Sequence, residues 1–311
     1  MTQSPGAPGA LNWARLMVLG FVWGSAFLAM DVALLGFPPL WVAAGRCAGA
    51  AVVLVATSPL WGEPTWRALG QAGRPVVPFV VLVGILATAL PLALLAWGLQ
   101  HVPSAFAGVA MGAVPLLLLP LAWLFLPEEG IGPRRVLGLV SGFVGLAILI
   151  GGGIFEEAGP LTTLGRLACV SAAFCYAVGS VLTRRAPPVS PTAFATGAIV
   201  VAAILLVPLA WAVEGPPPLA APGPLAALLY TALFPTALCF VLRVQVIRSA
   251  GSIFMSLVSY LVPVWAVIFG VVLGGERLSG RFFLALALIL GGIAISQSRS
   301  LARALKARAR A

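Results

Sequence analysis

A proline that opens a long apolar run ending on glutamate occurs twice in this chain. Pro115 leads to Glu128 and Pro263 leads to Glu276, with 148 residues between the copies. Thr88-Ala89-Leu90 returns at the same offset as Thr236-Ala237-Leu238. Arg134 and Gly145 return one residue early, as Arg281 and Gly292. The slip falls at the doubled Glu128-Glu129, where an extra residue is easily absorbed. Self-similarity over half a chain constrains architecture more than any local pattern, so the fold is expected to be two copies of one unit.

Neither copy suits water. Of the 311 residues, 61% are hydrophobic and only 8% charged, against about 25% charged in a soluble domain. A membrane-crossing helix takes about 20 apolar residues. Such runs lie at roughly 15–35, 38–60, 75–98, 103–126, 134–152, 162–183, 191–213, 224–242, 251–273 and 281–298. Proline, glycine and glutamate fill the short gaps, as at Gly36-Phe37-Pro38-Pro39 and Pro216-Pro217-Pro218, where a helix cannot continue. The pattern predicts an all-α polytopic membrane protein of ten transmembrane helices. Residues 13–152 form the first five-helix repeat, 160–298 the second, and 299–311 a basic tail. Five is odd, so the second unit enters the bilayer from the opposite face, and the repeats are inverted. That arrangement lets one fold adopt two mirror-related states.

The basic residues give the orientation. With the N-terminus in the cytoplasm, Arg15, Arg67, Arg74, Arg134, Arg135, Arg184, Arg185, Arg243, Arg248 and the five tail residues face inward, 14 of the 18 Lys+Arg. Arg46, Arg166, Arg277 and Arg281 fall within or beside outer helix ends. Both termini are then cytoplasmic. Arg299, Arg303, Lys306, Arg308 and Arg310 are expected to meet anionic headgroups rather than nucleic acid. The first apolar run carries Asp31 and nine more follow it, which reads as a span and not a cleaved leader. Cys47, Cys169, Cys175 and Cys239 all sit in apolar runs without a paired or histidine-clustered neighbour. They read as packing residues, with no metal and no cofactor implied.

Trp23-Gly24-Ser25 in the first helix, Arg46 in the second, the two proline-to-glutamate runs and the glycine-spaced fifth and tenth helices together resemble the EamA family. That family belongs to the drug/metabolite transporter superfamily. The resemblance covers about residues 13 to 298. It implies a ten-helix secondary transporter of the bacterial inner membrane, exporting amino acids or related small metabolites by alternating access. One departure stands out: Phe174-Cys175-Tyr176 occupies the second unit where the first has Trp23-Gly24-Ser25. If that triplet touches substrate, the halves contribute unequally.

Transport requires a mid-membrane cavity with polar or small lining. Ser252, Ser256, Ser259, Tyr260 and Pro263 on the ninth helix share one face. Their counterparts are Ser104, Gly108, Met111, Gly112 and Pro115. Close helix packing is the alternative reading of both faces. Pro115 and Pro263 each remove a backbone hydrogen bond and are expected bends. Trp23, Trp97, Tyr176, Tyr230 and Tyr260 are the aromatics near this region, and Ser25 completes the first triplet. Trp41, Trp61, Trp66 and Trp211 read as interfacial anchors. His101 reads as a wet interfacial residue.

Asp31 and Arg46 flank the first hairpin at similar depth, which predicts an ion pair between them or snorkelling to the interface. The functional alternatives are Arg46 meeting a substrate carboxylate and Asp31 taking a coupling proton. Glu128, Glu129 and Glu276 read as caps on the fifth and tenth helices. A multidrug carrier would want a deeper acid than Asp31, and a nucleotide-sugar carrier more deep cations than Arg46 and Arg243. No G-x-S-x-G or H-E-x-x-H is present to support an intramembrane enzyme. A channel is the remaining alternative.

Overall fold

The computed structural model describes residues 9–61, 64–125, 133–151, 160–255 and 257–308, and among these helices are the only regular structure. The rods are α1 (Ala10–Leu34), α2 (Pro39–Thr57), α3 (Arg74–Leu99), α4 (104–125), α5 (Pro133–Gly151), α6 (Pro160–Arg185), α7 (Pro191–Glu214), α8 (222–255), α9 (Val258–Val272) and α10 (Gly280–Arg308). A short helix, Thr65–Ala72, separates α2 from α3 and buries Thr65 and Ala68 while exposing Trp66 and Arg67. Seven of the helices are long and apolar enough to cross a membrane. Three shorter apolar ones, within α5, α9 and α10, accompany them. Glu128, Glu129, Glu156, Glu157 and Ser256 lie outside the described residues.

Glycine contacts fix how the rods run. The end where α1 begins is called proximal and the end where it finishes distal. A methyl at Gly20 would meet Leu261, and one at Gly24 would meet Trp265. The numbers rise together, so α9 runs parallel to α1. Against α4 it runs the other way, because Gly108 faces Ala266 and Gly112 faces Pro263. In the same manner α5 and α10 are antiparallel, with Gly138 against Gly292 and Gly145 against Ala285. So are α2 and α7, joined at the distal end by Trp41 and Trp211. Each of these three pairs joins a helix to the one five places later. In lipid, where apolar burial does not favour protein over solvent, such small-residue contacts supply the attraction through close packing.

Several boundaries differ from the sequence reading. The expected turn between the eighth and ninth segments is helical, and α8 continues to Met255. In the first unit Val102-Pro103 stops α3, since proline at the next position excludes helix. The corresponding Ala250-Gly251 has no proline, so nothing stops α8 there. Ser252 therefore belongs to the end of α8, and the proposed polar face does not lie on one helix. The interruption precedes α9 at Leu257, six residues ahead of Pro263, through which α9 runs unbroken. In α4 it falls at Ala113, next to the Val114-Pro115 start of the second segment. At the other end α10 extends to Arg308, so part of the expected tail is helical.

Trp41 is not an interfacial anchor as expected. It is buried, and its indole donates to the Gly215 carbonyl at 2.9 Å. Trp66 and Trp211 remain exposed.

Candidate functional site

Two rods carry a π-helical turn, Ile85–Ala89 in α3 and Ala232–Leu238 in α8. These contain the duplicated Thr88 and Thr236. In each, the threonine hydroxyl donates five residues back, Thr88 to the Val83 carbonyl at 3.2 Å and Thr236 to the Thr231 carbonyl at 2.9 Å. In α8 the cause is visible. Pro235 has no N–H for the carbonyl four residues earlier, that of Thr231, and the Thr236 hydroxyl takes its place. Single π turns are common at functional positions because they free backbone groups and aim side chains off the helical register.

Side chains from the first unit converge on the α8 turn. The Trp23 indole donates to the Pro235 carbonyl at 2.8 Å. The Arg46 Nε donates to the Thr236 hydroxyl at 2.8 Å, and its Nη1 approaches the Met30 sulfur at 3.1 Å. Ser25 gives its proton to the Val22 carbonyl at 2.9 Å, so the Tyr230 hydroxyl, 2.6 Å away, donates to Ser25. Between Trp23 and Ser25, Gly24 lets α9 approach the opposite side of α1. From α6, Tyr176 lies within electrostatic range of Arg46, as do Cys47 and Cys239.

The α3 turn has no comparable polar shell among the described residues. Ala87 packs directly on Gly179 of α6, and Phe174 is exposed. The two π turns thus meet their neighbouring helices differently. One side is a hydrogen-bonded dock and the other an apolar contact.

Other candidates lie apart from this cluster. Gly108 and Gly112 sit in the α4–α9 contact, where a methyl would overlap Ala266 or Pro263. Met111 is half-buried against the core, and Trp97 packs edge-on to His101 at 4.7 Å. Ser259 and Tyr260 are half-buried on α9, and the Tyr260 hydroxyl is enclosed without a hydrogen-bond partner.

Asp31 and Arg46 do not pair. Arg46 turns to Thr236 and Met30, while the charge that acts on Asp31 is the like charge of Glu276. The hairpin argument fails because α1 and α2 barely touch each other. α1 packs on α8 and α9, and α2 packs on α7.

Glu276 does not cap α10 either. Its carboxylate accepts from the Ser104 N–H at 2.7 Å, the Ser104 hydroxyl at 2.6 Å and the Ala105 N–H at 3.1 Å, closing the start of α4. Glu214, at the end of α7, accepts from the Leu40 and Trp41 N–H groups at 2.9 and 3.0 Å and closes the start of α2. Both caps reach from one half of the chain to the other at the distal end. Replacing either glutamate by alanine is expected to cost about 0.5–2 kcal/mol, the usual value of an N-cap. Thermal unfolding of the purified variants measures this, and unchanged midpoints would remove the caps from the account.

Sequence reasoning missed Glu214, Met30 and Pro235. Thr236 was visible in the duplicated triplet, though only as a marker of the repeat.

Comparison with known proteins agrees with this architecture. The chain is 29% identical over 289 residues to a protein of Escherichia coli (strain K12) named as the uncharacterised inner membrane transporter YedA, covering 91% of this chain and 89% of that one. It is 28% identical to a chloroplastic WAT1-related protein of Arabidopsis thaliana, over 91% of this chain and 68% of the relative. Protein PecM of Dickeya dadantii (strain 3937) is 23% identical, with 90% of both chains covered. A solved crystal structure superposes with a TM-score of 0.65 over 94% of this chain and 98% of the other, at 23% identity, and so shares its fold. The model of the EamA-like transporter family matches twice, over residues 12–151 and 163–297, and the chain belongs to that family.

Proposed function

We propose that the protein is a secondary carrier of ten membrane crossings, built as two inverted five-helix repeats that open alternately to the two sides. The observation that carries this reading is the set of counterpart pairs. α2 packs on α7, α4 on α9 and α5 on α10, and each pair is antiparallel. A pseudo-twofold axis in the membrane plane produces such pairs, and exchange of conformation between the halves then opens the opposite side. The distribution of basic residues supports cytoplasmic termini with the distal end outward, in what we take to be the inner membrane of a bacterium. Substrate is a small polar or amphipathic metabolite, amino acids foremost, held near the α8 turn by Trp23, Ser25, Arg46 and Tyr176. Trp97, Gly108, Met111, Gly112, Ser259 and Tyr260 then act along the path on which α4 and α9 slide.

Reconstitution in liposomes tests this. Saturable uptake and counterflow of labelled amino acids are expected, and unsaturable ion conductance would sink the carrier. Asp31 is the proposed proton site. Asp31→Asn is expected to abolish transport driven by a pH gradient and to leave exchange intact. Unchanged pH dependence in that variant would take Asp31 out of the mechanism.

A further inference from the structure

Among the described residues, Arg46 is a guanidinium without an acidic partner. It lies seven residues into α2, roughly 11 Å from the distal end at 1.5 Å per residue. Of the chain's eight acids, Glu214 and Glu276 are committed to helix caps, and Asp31 feels the charge of Glu276. No acid contacts Arg46 among the described residues. Its five N–H donors meet two acceptors, Thr236 and the weakly accepting Met30 sulfur, so three N–H groups remain. Among the described residues its neighbours are Cys47, Cys239, Tyr176 and Met30, none of them a carboxylate. Unpaired charge inside a membrane is costly, and such residues mark substrate pathways.

The hydrogen bond to Thr236 orients the remaining donors. With Nε held on the α8 turn, the Nη1 and Nη2 N–H groups not engaged by Met30 are the part left to a ligand. Two donors in a plane match a carboxylate, a geometry that an ammonium cannot reproduce. One cation neutralises one negative charge. The next candidate, Arg243, is seven residues beyond Thr236 on α8, about 11 Å along the helix, so a dianion would remain half-neutralised. Aromatic side chains gather about the same turn, Trp23 on the Pro235 carbonyl, Tyr230 on Ser25 and Tyr176 within electrostatic range of Arg46.

Resting on the carrier reading, we infer that Arg46 is the anion-recognition residue and selects substrates with one carboxylate on an apolar or aromatic body. Amines, neutral amides and phosphate dianions are disfavoured.

Four probes sharing one ring test this on the purified full chain: phenylacetate, phenylacetamide, phenyl phosphate and benzylamine. A ligand that binds only the folded state raises its unfolding temperature. Phenylacetate is expected to stabilise the wild type, with the amide and amine inactive and phenyl phosphate no better than phenylacetate. Arg46→Gln should bind phenylacetate at least ~30-fold more weakly, as expected for truncating a buried charge pair. Equal stabilisation by phenylacetamide, retained phenylacetate binding in Arg46→Gln, or no response of the folded wild type to phenylacetate overturns the inference. If Arg46→Gln does not fold, the acid–amide comparison in the wild type decides alone. Counterflow with the same probes separates the two readings. Exchange of the amine or amide but not the acid overturns the role of Arg46 and leaves the carrier. Ion conductance without exchange overturns the carrier itself.

Discussion

Gly292→Ala is expected to prevent α10 from seating on α5, while Gly291→Ala, one residue away, is expected to change nothing. A methyl at Gly292 would come within 2.5 Å of the Gly138 carbonyl oxygen and 2.7 Å of the Gly142 nitrogen. Both atoms are backbone, so no side chain can rotate aside. The rods must part along their length, giving up the dispersion contacts that hold helices together in lipid. Overpacking of this kind costs about 1–3 kcal/mol where side chains can adjust, and more where backbone opposes backbone. At Gly291 a methyl would meet nothing within 4 Å. Stability there should stay within about 0.5 kcal/mol, as for other open surface positions. Monodispersity and thermal unfolding in detergent distinguish the two variants. Equal behaviour would mean that α5 and α10 are not packed as described.

The second large effect is expected at Arg46 and Thr236 together. Arg46→Lys keeps the charge but loses the Nε donor and the planar fork, so transport should fall at least ~10-fold. Thr236→Val removes the hydroxyl that accepts from Arg46 and donates to the Thr231 carbonyl. It leaves the guanidinium charged but unaimed, and a comparable loss is expected. Residues within one hydrogen-bonded network do not add, and coupling of about 0.5–3 kcal/mol is typical. The double variant should therefore be little worse than either single one. Fully additive losses in counterflow rates would show that Thr236 does not position Arg46.

The duplicated threonine triplet illustrates how far the sequence reaches. Its offset marks the repeat in the sequence, and it falls on the two π turns. Nothing in the letters says that one turn would collect Trp23, Ser25 and Arg46 while the other packs on apolar neighbours. That difference arises from which helix packs on which, and the packing is not sequential. Asp31 and Arg46 look like hairpin partners because their helices are consecutive, yet α1 spends its contacts on α8 and α9. Glu214 was invisible for the same reason, since its partners Leu40 and Trp41 lie 174 and 173 residues away. Helix ends set by proline were legible, as at Val102-Pro103. The end of α8 was not, because Ala250-Gly251 carries no local stop.

The distal caps give water a mechanical role. Glu276 and Glu214 each satisfy two backbone N–H groups of a helix from the other half. Any motion that parts those halves strips a carboxylate from its donors. In a dry crevice both sides of the broken contact would be left unsatisfied, at about 1–3 kcal/mol for each orphaned group. Once solvent reaches the gap, it replaces the lost partners almost fully. Distal opening and distal wetting are therefore one event, and agents that withdraw water should favour the capped form.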